Sequence, residues 1–193
     1  RLDLAKRLSR LTKSQGSFAE RQRICQLVEG GERVLVLGSG FGLTACILGR
    51  HSPCHEVVGV EPSPVSHEFA LVNIKLNRLS GTVRSVNSDP SGDLSSLGAF
   101  DRVCAFLPFF RDGLLLPLAT IIGPAVRVIA PGGTLHCYTF ETEQEFLNGA
   151  EEGKRQLAIA CGGRDTELTW RGKVPRKSIG PYVYRVGMDF RLA

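Results

Sequence analysis

The sequence predicts an α/β fold: a doubly wound, mostly parallel seven-stranded sheet behind a helical N-terminal leader. Three observations point there. Apolar, β-branched runs of strand length alternate with helix-length segments from Arg33 to Phe140, the pattern of right-handed βαβ crossovers and a parallel sheet. A glycine loop, Gly38-Ser39-Gly40-Phe41-Gly42, follows the first run directly. The last two strand-like runs have no helix between them, which fits an antiparallel edge added to the sheet.

Taken in order, residues 3–29 read as helical with a break near Ser14–Ser17. Ile24, Leu27 and Val28 give the second part an apolar stripe, and Gly30-Gly31 ends it. Arg33–Leu37 is the first strand and Leu43–Arg50 the helix after the glycine loop. Glu56–Val60 is the second strand, ending at Glu61-Pro62. Val65–Leu79 is a helix carrying Phe69, Leu71, Val72, Ile74 and Leu76. Thr82–Val86 and Asp101–Leu107 are strands three and four. Leu114–Ile129 is a helix, Gly133–Phe140 a fifth strand, and Glu141–Cys161 a helix. Thr166–Arg171 and Tyr182–Arg191 alternate apolar and polar residues and form the closing pair. Residues 1–29 are expected as a basic helical leader and residues 30–193 as one sheet domain, a size that supports a single core.

The chain is 42% hydrophobic and 22% charged, ordinary for a soluble globular protein, which sets low-complexity disorder aside. Its longest apolar run, Leu114–Ala130, is interrupted by Pro117, Gly123, Pro124 and Arg127, so no membrane span is expected. No signal peptide is visible. Cys25, Cys46, Cys54, Cys104, Cys137 and Cys161 form no CxxC pair and no zinc-finger spacing, so no metal is expected and a reducing compartment is. That means an intracellular, cytoplasmic location, with a mitochondrial or nuclear address on an upstream leader left open. The formal net charge is +5. Residues 1–23 hold seven basic groups (Arg1, Lys6, Arg7, Arg10, Lys13, Arg21, Arg23) against Asp3 and Glu20, so this leader carries the whole excess. Such an end suits a phosphate-rich partner, or is a solvated amphipathic helix.

Ligands of open α/β sheets bind beyond the carboxyl ends of the strands, where the strand order reverses. The candidate binding residues therefore gather there. Gly38, Ser39, Gly40 and Gly42 let the backbone turn sharply and approach a ligand. Glu61, followed by Pro62 at the tip of strand two, is placed to accept hydrogen bonds from ribose hydroxyls; otherwise it is a capping or solvated carboxylate. Asp89, after strand three, could meet an adenine amino group or form a turn in Ser88-Asp89-Pro90. These features allow either a nicotinamide dinucleotide or S-adenosylmethionine (SAM). The latter is favoured because the loop reads GxGxG rather than GxGxxG, and because two closing strands match a methyltransferase sheet.

Longer stretches carry a family resemblance. His67-Glu-Phe-Ala-Leu-Val-Asn-Ile-Lys-Leu-Asn77, Asp101-Arg-Val-Cys-Ala-Phe-Leu-Pro108, Gly132-Gly-Thr-Leu-His-Cys-Tyr-Thr-Phe140, Gly180–Arg191 and Ser14–Ile24 resemble, in order, segments of the Trm5/TYW2 family of SAM-dependent tRNA-modifying enzymes. The resemblance implies a Rossmann-like class I methyltransferase domain with SAM as cofactor and tRNA as partner, and an upstream tRNA-binding domain of the kind group members carry. It implies that Gly38–Gly42 and Glu61 hold the methionine and ribose parts of SAM and Asp89 the adenine. The Phe106-Leu107-Pro108 loop would border the target base, and Arg7, Arg10, Arg21 and Arg23 would face tRNA phosphates. The chain departs from the family pattern at three places: Val36 replaces an acid on strand one, Phe106 an asparagine, and Gly16 a catalytic arginine.

The resemblance implies N1-methylation of the guanosine 3′ to the anticodon. The alternatives are a TYW2-like aminocarboxypropyl transfer in wybutosine synthesis, favoured by Ser14–Ser17 and Phe106, or a domain that keeps the fold without catalysis. Catalytic candidates are Phe106 and Pro108 at the loop, and His136 from its place at the end of strand five, where a structural histidine is the other reading.

Overall fold

In the computed structural model, residues 17–106, 110–111, 114–115, 118–147, 155, 159, 165–180 and 182–193 are described. The chain runs through α1 (Ser17–Leu27), β1 (Arg33–Leu37), α2 (Leu43–His51), β2 (Glu56–Glu61), α3 (Pro64–Leu76), β3 (Val83–Asn87), β4 (Phe100–Phe106), β5 (Phe110–Arg111), β6 (Leu114–Leu115), α4 (Leu118–Arg127), β7 (Ile129–Thr142), β8 (Thr166–Gly180) and β9 (Val183–Leu192).

Seven strands form one sheet in the order β3-β2-β1-β4-β7-β9-β8. The first five are mutually parallel. β9 runs antiparallel to β7, and β8 antiparallel to β9, as the missing helix between the last two runs predicts. Alternation within a strand sends neighbours to opposite faces. Val34 and Val36 therefore join Ile24, Val28, Leu48 and Ile74 beneath α1, α2 and α3, while Leu35 and Leu37 join Ile122, Ala125 and Val126 beneath α4. Both faces are covered, which is why β1 reads as an unbroken apolar run rather than an alternating one. Cys46, Cys104 and Cys137 are buried free thiols, and burial pushes the Cys46 thiol up to about 11.

Two predicted helices are corrected. Leu114–Leu115 begins no helix: it is β6, paired with β5 through Arg111↔Leu114, and α4 starts at Leu118. The sequence signal is Asp112-Gly113, a dipeptide favoured in two-residue hairpin turns. At the other end, Ile129 already belongs to β7, pairing with Phe100. The helix assigned from Glu141 starts later. Glu141 and Thr142 remain in β7, and residues 143–147 are helical. Thr142 and Glu145 form a capping box there, the Glu145 amide donating to Thr142 Oγ1 at 3.2 Å and the Thr142 amide to Glu145 Oε2 at 2.7 Å. This reciprocal pair satisfies two donors that the helix leaves open and so fixes its start. The leader upstream of Ser17, with Arg7 and Arg10, lies outside the described residues.

Candidate active site

β1 and β4 are sheet neighbours from which the chain order diverges, so their carboxyl ends flank the crevice of a doubly wound sheet. Gly38, Gly40 and Gly42 all adopt positive φ (59°, 55° and 78°), a region that costs other residues strain. Gly42 is also a packing requirement, since a Cβ there would lie 3.0 Å from Ala70 Cβ on α3. Gly59, in the middle of β2, makes room for Ser39, whose Oγ would stand 2.8 Å from a Cβ at that position. The loop is held from three sides. The Ser39 amide donates to the Val60 carbonyl at 3.0 Å, Asn73 Nδ2 donates to the Phe41 carbonyl at 2.8 Å, and Phe41 meets Phe69 edge to face.

Glu61, expected at the tip of the second strand, is buried there. Its Oε2 accepts from the Gly40 amide at 2.7 Å and its Oε1 from the Ser63 amide at 3.0 Å. A carboxylate oxygen can accept more than one hydrogen bond, so both remain able to receive a ligand hydroxyl. The carboxylate thus ties β2 to the glycine loop. Asn87 Nδ2 donates to the carbonyls of Glu61 and Pro62 at 2.8 and 3.2 Å, fixing the same corner from β3. Asp89 follows β3 and forms the turn, its Oδ1 accepting from the Ser91 amide at 2.9 Å and the Ser91 hydroxyl at 2.7 Å.

Across the crevice, Phe106 ends β4 and stacks on Tyr138 with ring centroids 5.3 Å apart and planes 12° from parallel. The Arg21 guanidinium lies 6.0 Å from the Phe106 centroid, and Arg21 Nε donates to Thr44 Oγ1 at 2.7 Å. Burial lowers the Arg21 pKa, with Arg185 acting the same way and Glu20 opposing. Pro108 lies outside the described residues.

The expectation that Arg23 faces phosphate meets a different placement. Arg23 is bound to Asp189 in an ion pair, donates to the Tyr138 hydroxyl at 3.3 Å, and lies 3.5 Å from the Trp170 ring centroid. Arg21 likewise points into the crevice. Both basic residues of α1 turn inward, Arg23 to Asp189 and Arg21 to Thr44, which a charge count along the chain does not reveal. His136 stands in the middle of β7, opposite Cys104, and not at the strand's end. It is fully buried. Its Nδ1 is 2.6 Å from Asp189 Oδ1, and Arg102 Nη1 is 3.0 Å from its Nε2. Arg102 in turn binds Glu32 through two contacts of 2.8 Å. The guanidinium can only donate, so Nε2 must accept and Nδ1 must carry the proton. His136 is therefore held neutral, and burial lowers its pKa against the pull of Asp189.

Sequence reasoning missed Thr44, Asn73, Asn87, Arg102 and Asp189, and missed Glu20 as the partner of Arg185, bound at 2.8 Å. Asn73 and Asp189 lie within the resembling segments, but their partners are far away in the chain. Among the described residues no group of three or more His, Cys, Asp or Glu side chains is placed to hold a metal ion, and no helix is long and apolar enough to cross a membrane.

This sheet order, with a glycine loop at the switch point and a carboxylate on the neighbouring strand tip, defines a Rossmann-like α/β methyltransferase domain. The profile of the TRM5/TYW2 methyltransferase domain matches residues 2–161, and the chain belongs to that family. Among solved structures, it resembles Trm5b from Pyrococcus abyssi with a TM-score of 0.74 and 22% identity, covering 92% of this chain and 49% of that one. It also resembles TYW2 of M. jannaschii in complex with AdoMet, with a TM-score of 0.73 and 21% identity over 92% of this chain and 76% of that one. Among curated proteins, the tRNA(Phe) (4-demethylwyosine(37)-C(7)) aminocarboxypropyltransferase of Methanocaldococcus jannaschii is 30% identical over 103 residues, 53% of this chain and 39% of the relative. The chain thus spans well under half of that curated relative and about half of the Trm5b structure.

Proposed function

We propose that this chain is the SAM-binding catalytic domain of a tRNA-modifying transferase. The carrying observation is the buried Glu61 carboxylate, bound to the Gly40 amide at 2.7 Å with acceptor capacity to spare. The residues fit the cofactor. Three positive-φ glycines open the backbone, and a Cβ added at Gly40 would meet nothing within 4 Å, so the loop leaves space above it. Glu61 would hold the ribose hydroxyls, the loop the methionine part, and the Asn87–Asp89 corner the adenine. When bound, SAM supplies an electrophilic carbon on a sulfonium whose sulfur leaves as a neutral thioether.

The transfer best supported is that of the aminocarboxypropyl group to a guanosine-derived base. Guanosine N1-methylation, the first expectation from the sequence, needs a group that takes the N1 proton. The described side chains at the β4 edge do not offer one. Phe106 is apolar, and burial pushes the Tyr138 phenol up to about 12. Glu20 is paired with Arg185, and His136 is buried within its own network. A carbon nucleophile can attack first and lose its proton afterwards. The similarity to the M. jannaschii aminocarboxypropyltransferase supports the same reading.

The deciding experiment is mass analysis of tRNA incubated with the protein and SAM, alongside a Glu61→Ala variant. Addition of the aminocarboxypropyl group is expected, with methylthioadenosine as by-product. Addition of a methyl group restores the N1 reading. No added mass despite SAM binding means a domain that keeps the pocket without catalysis. Loss of the Glu61 carboxylate is expected to weaken SAM binding by about 1–3 kcal/mol.

A further inference from the structure

The outward side of α3 carries more apolar surface than a solvated helix needs. Leu71 is 47% exposed, Val72 52%, and Val65 and Leu76 each 61%. They are half of the eight large hydrophobic side chains exposed among the described residues, so the exposure is concentrated on one helix rather than scattered. Ala70 and Ile74 supply the side that faces the core. At about 100° per residue, Val65, Val72 and Leu76 fall on one line along the outer face. Glu68 and Lys75 fall on the line beside it, with Leu71 beyond them. Glu68 and Lys75 are seven positions apart, past the spacing at which side chains of one helix pair. Among the described residues neither has an ion-pair partner.

This face is complementary to itself. A second copy turned about a two-fold axis between Leu71 and Val72 lays its α3 antiparallel across the first. Glu68 then faces Lys75 of the second copy, and Lys75 faces its Glu68. Val72 meets its own counterpart at the axis, and Leu71 does the same on the other flank. Val65 comes within about 3 Å, measured along the helix axis, of Leu76 of the second copy. A parallel copy would set Glu68 against Glu68 and Lys75 against Lys75, which repels.

We propose that this chain self-associates as a two-fold dimer through α3. The occupant of the face is a second copy because its acid and its base stand symmetrically about the midpoint and match their own reversal. A wholly acidic or wholly basic partner would leave one of the two opposed by a like charge. Such isologous contacts are the commonest basis of soluble dimers. The inner side of the same helix supports the glycine loop, Asn73 donating to the Phe41 carbonyl at 2.8 Å. The dimer therefore braces that support from outside, while the crevice at the carboxyl ends of the strands stays open in each copy.

The test is sedimentation equilibrium over a range of protein concentrations. One helix pair is a small interface, so the unaltered protein is expected to dimerise at roughly 10–100 µM. Glu68→Lys or Lys75→Glu alone turns both cross-copy attractions into repulsions and is expected to raise the dissociation constant about 10-fold or more. An equimolar mixture of these two variants has opposite charges at both crossings again and is expected to recover the unaltered affinity. Val72→Asp brings two carboxylates together at the axis and is expected to leave only monomer. All these positions are exposed, and unfolding temperature checks that each variant folds; should Val72→Asp not fold, the charge variants decide. A monomer at every concentration up to about 500 µM, well above the range expected of a small interface, overturns the proposal. So does a dimer that neither charge variant weakens, or a mixture that stays as weak as its components.

Discussion

Acidification should weaken the fold through one buried ring. His136 lies between a donor and an acceptor that fix it as the neutral tautomer: Arg102 Nη1 is 3.0 Å from Nε2, and Asp189 Oδ1 is 2.6 Å from Nδ1. A proton added at Nε2 would face the Arg102 guanidinium, donor against donor. Burial is the largest influence and lowers the ring's pKa, the neighbouring Arg102 and Arg23 charges add to it, and Asp189 opposes. The unfolded chain therefore binds a proton that the folded chain refuses. The resulting stability is complete above the unfolded histidine value and is lost as pH falls below it. If the ring stays neutral in the fold, a reference value of about 6.5 gives a loss of about 1.4 kcal/mol between about pH 7.5 and about pH 5.5. Asp189 adds nothing in that window. Burial pushes its carboxyl up, but hydrogen bonds from His136 and Arg23 outweigh this and hold it below the usual carboxylate range, so its contribution disappears only at more acid pH. The assay is urea unfolding across this range for the unaltered protein and for His136→Asn, which can still donate to Asp189 but does not titrate. Subtracting the two profiles isolates the contribution of His136. Identical pH slopes for the two proteins would refute the neutral-ring argument.

Three further outcomes are expected. Asp189→Ala leaves buried His136 and half-buried Arg23 without their shared carboxylate, so chemical denaturation should show a loss of about 3–5 kcal/mol, while a loss below about 1 kcal/mol would show that water replaces the partner. Gly42→Ala places a Cβ 3.0 Å from Ala70 Cβ at a φ of +78°, which should cost about 1–3 kcal/mol and weaken SAM binding; thermal unfolding and titration unchanged from the unaltered protein would rule out the strained-loop account. Charge reversal at Arg7 and Arg10 should weaken tRNA binding and flatten its salt dependence, and an unchanged salt slope would remove the leader from the tRNA-binding surface.

The parallel half of the sheet was legible because its signals are local. The run Arg33–Leu37, the glycine loop after it and Glu61 at the next strand tip each fall where the structure puts them. The errors arose where a local signal was present but outweighed by apolar periodicity. Asp112-Gly113 falls between β5 and β6 inside a stretch rich in leucine, and Thr142–Glu145 marks a helix start two residues beyond the predicted one. The inward arginines were illegible for another reason. Arg23 and its partner Asp189 are 166 residues apart, and only the complete strand order brings them together. The network around His136 was illegible in the same way, since its two partners sit on β4 and β9. Its role is set by those neighbours rather than by its own position in β7.

The ties between α1 and β9, Glu20 to Arg185 and Arg23 to Asp189, bear on how the protein is made. The second residue of each pair leaves the ribosome long after the first. β9 lies inside the sheet between β7 and β8, so a nascent chain that has completed β1 through β7 still exposes the edge that β9 will occupy. Until then Glu20 and Arg23 lack these two partners, while the hydrogen bond from Arg21 to Thr44 joins segments already made. The glycine loop and Glu61 can form early, from contacts among neighbouring segments, whereas the ionic ties of α1 close only once β9 has been made. A chain made only as far as β7 therefore has its glycine-loop corner in place while its first helix is still untied from the far half of the sheet.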